Sequence, residues 1–144
     1  DTTEREYDLM MTTNLKAFFH SFKELLPRMR KQQFGHIINI SSMAGRAGVP
    51  NLAVYCASKS ALNALCEAVA GEGRNDNIKV SVLAPGSADT NFASGITRRR
   101  TKKAGSGIKL TIEEVAEAVL FLAQQNENAF TSMVQLRPLI TKRK

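Results

Sequence analysis

Apolar residues recur at three- and four-residue steps in three stretches of the chain, which is the spacing of amphipathic helices. The first predicted helix runs from about residue 3 to residue 30, and the second from about residue 53 to the glycines at 71–73. The third follows a capping box that opens at Thr111. The first stripe comprises Leu15, Phe18, Phe19, Phe22, Leu25, Leu26 and Met29. The third stripe comprises Ile112, Val115, Ala116, Val119, Leu120 and Ala123.

Short apolar, β-branched runs lie between these helices and predict buried strands at 36–40 and 78–84, with a weaker strand at 131–136. Gly35 is predicted to break the first helix. Helices that alternate with strands at this spacing favour a parallel sheet covered on both faces. We therefore predict an α/β fold, a three-layer αβα arrangement in one partial domain over residues 1–144, with a polar loop at 87–110 and a basic tail at 139–144.

The positive charge changes this picture little. The formal charge is +7, and much of it lies in two clusters, at residues 98–103 and 142–144. Neither cluster is interleaved with aromatic residues, which a surface that stacks nucleic-acid bases would need. A basic nucleic-acid-binding protein is one alternative, but solvated loop and tail is the preferred interpretation, and we expect no nucleic-acid partner.

The cysteines and the apolar runs indicate the compartment. Cys56 and Cys66 lie ten residues apart on one predicted helix, so about 15 Å separates them and they cannot form a disulfide with each other. No metal-ligand spacing occurs, and no apolar run approaches the ~20 residues of a membrane span. We expect a cytoplasmic protein without a metal or a membrane partner. Because the chain begins with Asp1, we expect it to be processed, truncated or part of a longer protein.

Tyr55 and Lys59 are four residues apart at the start of the second predicted helix and therefore share one face. An ammonium beside a phenol favours the phenolate and lowers a pKa that is about 10 when unperturbed. A lowering by three units needs roughly 4 kcal/mol, more than one exposed charge supplies. The pair therefore predicts a tuned phenol only if a second positive charge or a dry pocket assists it.

Further polar groups converge on the same edge of the predicted sheet. Ser41-Ser42 ends one strand and Pro85-Gly86 ends the next, while Tyr55 opens the helix between them. In parallel sheets, ligands bind outside the carboxyl ends of the strands. Asn14 lies at the upstream end of the first apolar stripe and needs a hydrogen-bond partner there. A hydroxyl, a phenol, an ammonium and an amide around one cleft predict a proton-transfer site.

These segments resemble the classical type of the short-chain dehydrogenase/reductase family. The resemblance rests on the segment 39–45 (NISSMAG), on Tyr55-x-x-x-Lys59 and on Pro85-Gly86-x-x-x-Thr90. Ser42 stands 13 residues before Tyr55, the usual interval in the family, and Asn14 stands 28 residues before Ser42 in a segment similar to the family's asparagine motif. The resemblance extends from about residue 8 to residue 136 and implies a Rossmann-like fold.

The resemblance implies a role for each matched residue. Tyr55 would be the general acid/base, Lys59 would lower its pKa and bind the nicotinamide ribose, and Ser42 would hold the substrate oxygen. Asn14 would anchor a water that links Lys59 to solvent. The cofactor, NAD or NADP, would be held by Tyr55, Lys59, Pro85, Gly86 and Thr90. An oxidised nicotinamide would supply the second positive charge. A small alcohol or carbonyl substrate would enter beneath the 87–110 loop. The two helices ending near residues 30 and 71 would form dimers or tetramers.

The sequence departs from the family pattern in several places. No G-x-x-x-G-x-G phosphate loop is present, so the cofactor-binding half expected at the N-terminal side is missing. Ser81 replaces a common asparagine, Ala88 stands where a larger aliphatic residue is usual, and Leu136-Arg137-Pro138 replaces the usual aspartate-glycine-glycine.

Two classes of function therefore stay open beside the nucleic-acid alternative. The first is an NAD(P)-dependent oxidoreductase, of which this chain is the catalytic half. The second is a catalytically inactive fragment that acts as a binding or oligomerisation module. A serine hydrolase is disfavoured because no G-x-S-x-G occurs and the one S-x-x-K, from Ser106 to Lys109, lies in the basic loop.

Overall fold

The computed structural model describes residues 2–90 and 109–139. Three parallel strands form a sheet in the order β1-β2-β3, with β1 at Gly35–Ile40, β2 at Ile78–Pro85 and β3 at Met133–Leu136. Helices α2 (Ala17–Gln32) and α3 (Ala53–Gly73) pack on one face, and α4 (Ile112–Ala123) covers the other. The predicted Rossmann-like αβα arrangement is confirmed.

The first predicted helix is not one regular α-helix. Helix α1 spans Glu4–Met11 and starts at a capping box between Thr3 and Glu6. A π-helical turn, Thr12–Lys16, separates it from α2. The extra residue of a π turn shifts the side chains that follow, so the strict helical stripe predicted from the sequence does not continue through Asn14. The helix also ends before Gly35, because Gln33 adopts the left-handed conformation (φ 55°).

The sheet and helix α3 share one apolar core. Its buried members are Phe22, Leu26, Leu62, Cys66, Val69, Ile78, Val80 and Val82. Helix α3 continues to Gly73 and is followed by a 3-10 turn, Arg74–Asp76. The helix therefore ends within the predicted 71–73 segment, while the left-handed residue that turns the chain into β2 is Asn77 (φ 56°) and not a glycine.

The side chain of Ser81 on β2 is hydrogen-bonded both to β1 and to the segment that precedes β3. Its hydroxyl donates to the carbonyl oxygen of Thr131 (2.7 Å) and lies 2.9 Å from Nε2 of His36. Because the serine proton is engaged by Thr131, His36 must be the donor in the second bond. Burial is the main cause that lowers the pKa of His36, and the charge of Lys79 lowers it further. The serine that departs from the family pattern therefore has a structural role in this chain.

Some predicted apolar positions are exposed. Phe19 and Leu25 on α2 are 51% and 40% exposed. On α4 the fully buried residue is Leu122, while the predicted face residues Ile112 and Leu120 are exposed. The predictions failed because periodicity identifies an apolar stripe but not how much of it the neighbouring elements cover.

Most of the predicted 87–110 loop and both basic clusters lie outside the described residues. The two described ends of the loop are paired, since Ala88 and Leu110 form a parallel bridge and Lys109 Nζ lies 3.0 Å from Asp89 Oδ1. Over the described ranges, none of the helices is both long and apolar enough to pass through a membrane.

Candidate active site

The predicted hydroxyl and phenol lie together at the carboxyl edge of the sheet. Ser41 N donates to the carbonyl oxygen of Leu83 (2.7 Å), so the ends of β1 and β2 are side by side. Ser42 follows and caps a 3-10 turn, Met43–Gly45, by accepting a hydrogen bond from Ala44 N (3.2 Å). The hydroxyl of Ser42 is also hydrogen-bonded to the side chain of Tyr55, in the first turn of α3.

The pKa of Tyr55 is raised, so the dry pocket that was expected to assist a lowered value acts in the opposite direction, and a lowered pKa stays a prediction that depends on a second positive charge. Burial is the largest cause, because it disfavours the charged phenolate, and a negative charge on Cys56 would act in the same direction. The hydrogen bond from Ser42 opposes the rise but does not cancel it. Burial therefore favours the protonated form of the phenol.

Lys59 lies beneath the phenol and is 8% exposed. Its Nζ donates to the carbonyl oxygen of Ile40 (3.4 Å) and lies 5.9 Å from the centroid of the Tyr55 ring. Burial lowers the pKa of Lys59, whereas a thiolate at Cys66 would raise the pKa of Lys59. The pKa of Cys66 is itself raised to about 12 by burial, so at neutral pH this thiol adds no charge.

Asn14 is connected to the backbone of the Tyr55 turn. Its Nδ2 donates to the hydroxyl of Ser58 (3.2 Å), and that hydroxyl donates to the carbonyl oxygen of Tyr55 (2.8 Å). The π turn brings Asn14 to α3 at the residue before Lys59. The direct partner of Asn14 is thus Ser58, and its predicted link through water to Lys59 stays a prediction.

The predicted cofactor loop follows β2 at the same edge. Pro85 is buried at the end of β2, and Gly86 N donates to the carbonyl oxygen of Leu136 in β3 (2.7 Å). A Cβ added to Gly86 would lie 3.1 Å from Cδ of Pro138, which is tight packing. Thr90 is exposed, and its amide donates to the carbonyl oxygen of Ala88 (3.0 Å).

Sequence reasoning missed two polar residues around this site, Ser58 and Asn63, and gave Ser41 no partner. Tyr55, Lys59 and Asn63 follow one another at four-residue steps and so lie on one face of α3. This spacing could have identified Asn63 from the sequence. Within residues 2–90 and 109–139, no group of three or more potential metal-ligating side chains is assembled.

The fold and this arrangement define an α/β protein with a serine–tyrosine–lysine constellation at the carboxyl edge of a parallel sheet. The model of the short chain dehydrogenase family matches residues 1–101. The chain therefore belongs to the short-chain dehydrogenase family, as its motifs indicated.

Curated relatives and solved structures agree with this assignment. The chain is 30% identical to an uncharacterized oxidoreductase of Staphylococcus epidermidis, over 96% of this chain and 58% of that protein. It is 33% identical to a 3-oxoacyl-[acyl-carrier-protein] reductase of Thermotoga maritima, over 91% of this chain and 55% of that protein. The chain thus spans little more than half the length of these relatives.

Two solved structures show the same fold. A metagenomic short-chain oxidoreductase in complex with NADP is 32% identical and superposes with a TM-score of 0.74, covering 96% of this chain and 54% of that one. The closed form of a serine dehydrogenase complexed with NADP+ is 24% identical, with a TM-score of 0.86 over 99% of this chain and 62% of that one.

Proposed function

We propose that the chain is the catalytic and substrate-binding half of an NAD(P)-dependent oxidoreductase that interconverts an alcohol and a carbonyl compound. The observation that carries the proposal is the hydrogen bond between Ser42 and Tyr55, with the ammonium of Lys59 5.9 Å from the tyrosine ring. Membership of the short-chain dehydrogenase family supports it.

In the direction of carbonyl reduction, Tyr55 donates its phenolic proton to the substrate oxygen. Ser42 is suited to orient that oxygen, because its own oxygen accepts the amide of Ala44 and its single proton can be donated to the substrate oxygen in place of Tyr55. The phenolate that forms is stabilised by the charge of Lys59, while Ser42 donates to the substrate oxygen. The raised pKa of Tyr55 keeps the proton in place until a substrate accepts it.

A bound nicotinamide supplies the hydride that this site cannot supply itself. We propose that Tyr55 and Lys59 bind its ribose and that Pro85, Gly86 and Thr90 line its nicotinamide and phosphates. The position of these residues along adjacent strand ends is compatible with such a ligand. The NADP in the related metagenomic structure supports NAD or NADP as the cofactor. The absence of a G-x-x-x-G-x-G from the sequence supports a second segment as the holder of the diphosphate.

The second candidate function is a catalytically inactive binding or oligomerisation module. This function is favoured by an apolar groove of about 470 Å³ between the π turn and α3. The groove is lined by Met11, Thr12, Leu15, Lys16, Phe19, Ala61 and Leu65. The groove lies on the two helices through which the family resemblance implies oligomers. A homo-oligomer is compatible with either function. The two cysteines, both buried and free, support a reducing, cytoplasmic location.

Phe19→Glu is expected to dissociate such an oligomer, because it places a charge in the apolar groove. Phe34→Glu is the matched control, since Phe34 is similarly exposed (59% against 51%) and does not line the groove. Analytical ultracentrifugation should show a smaller species for Phe19→Glu alone. Equal masses for the two variants and the parent chain would place any self-association elsewhere.

The two candidate functions are separated by a chimera. Residues 1–144 are fused behind the nucleotide-binding half of the NADP-bound metagenomic relative, and the oxidation of NADPH is followed with aldehydes, ketones and a 3-oxoacyl thioester. The catalytic proposal expects carbonyl-dependent oxidation by the chimera and not by the donor half alone. A folded chimera that binds NADPH but turns over no carbonyl compound would favour the inactive module.

A further inference from the structure

A single amide side chain joins the Ser42 loop to helix α3. Oδ1 of Asn63 accepts the hydroxyl of Ser41 at 2.6 Å, and Nδ2 of Asn63 donates to the carbonyl oxygen of Gly45 at 3.0 Å. Ser41 precedes Ser42 and Gly45 follows it by three residues. The loop is therefore attached to α3 on both sides of Ser42.

Because the two hydrogen bonds of Asn63 are buried, breaking them costs free energy. Asn63 is 8% exposed and Ser41 is 6% exposed, so neither side chain can exchange its partner for bulk water at little cost. Gly45 approaches α3 so closely that a Cβ there would lie 2.7 Å from Nδ2 of Asn63 and 2.9 Å from the carbonyl oxygen of Lys59. The hydroxyl of Ser60 adds a second bond to the Gly45 carbonyl, at 3.1 Å.

The position of Asn63 on α3 links this attachment to the proton-transfer pair. Tyr55, Lys59 and Asn63 follow one another at four-residue steps on the same helix face. Asn63, which holds the Ser42 loop, is thus on the same helix as Tyr55, whose phenol Ser42 contacts. A hydrogen bond such as that between Ser42 and Tyr55 tolerates only a few tenths of an ångström of displacement.

We propose that Asn63 is a positioning residue that holds the Ser42 hydroxyl against the Tyr55 phenol by fastening the loop to α3 on both sides of Ser42. The inference rests on the proposed function, in which the Ser42–Tyr55 pair carries out the proton transfer. Asn63 does not itself touch the phenol, so it acts through the placement of Ser42.

The chain offers a direct measure of this placement without cofactor or substrate. It contains two tyrosines and no tryptophan, so in a Tyr7→Phe background the near-ultraviolet absorbance of tyrosinate reports on Tyr55 alone. The Ser42 hydrogen bond lowers the pKa of Tyr55, and its loss in Ser42→Ala should raise that pKa. Lys59 and Cys56, the neighbouring titratable groups, are left unchanged in every variant. Circular dichroism along the same titration verifies that each variant is folded.

Ser41→Ala and Asn63→Leu are both expected to raise the pKa of Tyr55 as Ser42→Ala does. Neither should raise it further when combined with Ser42→Ala, because the same hydrogen bond is already lost. Ser81→Ala is the matched control: Ser81 is also buried and also donates one short bond, at 2.7 Å, but to Thr131 in another part of the sheet. It should leave the pKa of Tyr55 unchanged. If Asn63→Leu does not fold, Ser41→Ala makes the same test.

The titrations distinguish a failure of the positioning role of Asn63 from a failure of the proposed function. A rise in Ser42→Ala with none in Ser41→Ala or Asn63→Leu would overturn the positioning role and leave the Ser42–Tyr55 pair intact. An equal rise in Ser81→Ala would also overturn it, since general loosening would then be the cause. No rise in Ser42→Ala would contradict the hydrogen bond on which the proposed function itself depends.

Discussion

Tyr55→Phe is expected to reduce carbonyl-dependent NADPH oxidation by the chimera by about 10²–10⁴-fold, the usual contribution of a positioned general acid. The substitution removes only the phenolic oxygen, and with it the proton that the substrate oxygen must receive. The ring itself is kept, so the fold should change little, and the affinity for NADPH should fall only by the one contact that the phenol is proposed to make with the ribose. Initial rates and a fluorescence titration with NADPH measure the two effects separately.

Tyr7→Phe is the control for this experiment, because Tyr7 is the other tyrosine of the chain and lies 46% exposed on α1. It should leave the rate unchanged. If Tyr55→Phe turned over carbonyl substrates as fast as the parent chimera, Tyr55 would not be the acid and the proposed mechanism would be wrong.

Leu62→Ala should lower the free energy of unfolding by about 2–5 kcal/mol, because it removes a fully buried side chain and leaves a cavity. Leu62 is 0% exposed and belongs to the cluster in which α3 meets α2 and β2 through Phe22, Leu26 and Val80. The cluster supports the helix that carries both Tyr55 and Lys59. Denaturant unfolding of the chain measures the loss.

Leu120→Ala serves as the comparison, since it deletes the same atoms from a side chain that is 54% exposed. A surface change of this kind should stay within about 0.5 kcal/mol. Similar losses for Leu62→Ala and Leu120→Ala would mean that α3 does not pack on the sheet as described here.

The composition of the site could be predicted from the sequence, but its electrostatics could not. The spacings among Asn14, Ser42, Tyr55 and Lys59 identified the residues, and the structure brings Ser42 to Tyr55 and Lys59 beneath the ring. A dry pocket was expected to assist a lowered tyrosine pKa and instead raises it, because burial disfavours the charged phenolate and a spacing does not measure burial. The bond from Asn14 to Ser58 was also missed, because a π turn has no clear sequence signal.

The fold, too, could be predicted only in part from the sequence. The three parallel strands were predicted within two residues of their ends, since β-branched runs bounded by turn residues are a strong signal. The exposed faces were not predicted, because Phe19 and Leu120 lie on apolar stripes that the described elements leave uncovered. What covers a stripe is a tertiary property, and periodicity reports only that the stripe exists.

The transfer of deuterium from the cofactor tests the central claim most directly. The chimera is incubated with a carbonyl compound and NADPH that is deuterated at the transferred hydrogen of the nicotinamide, and the alcohol is analysed by mass spectrometry. We predict an alcohol with one deuterium on the former carbonyl carbon from the parent chimera, and almost none from Tyr55→Phe. An unlabelled alcohol, or equal labelled product from both proteins, would contradict the assignment of Tyr55 as the acid of a nicotinamide-dependent oxidoreductase.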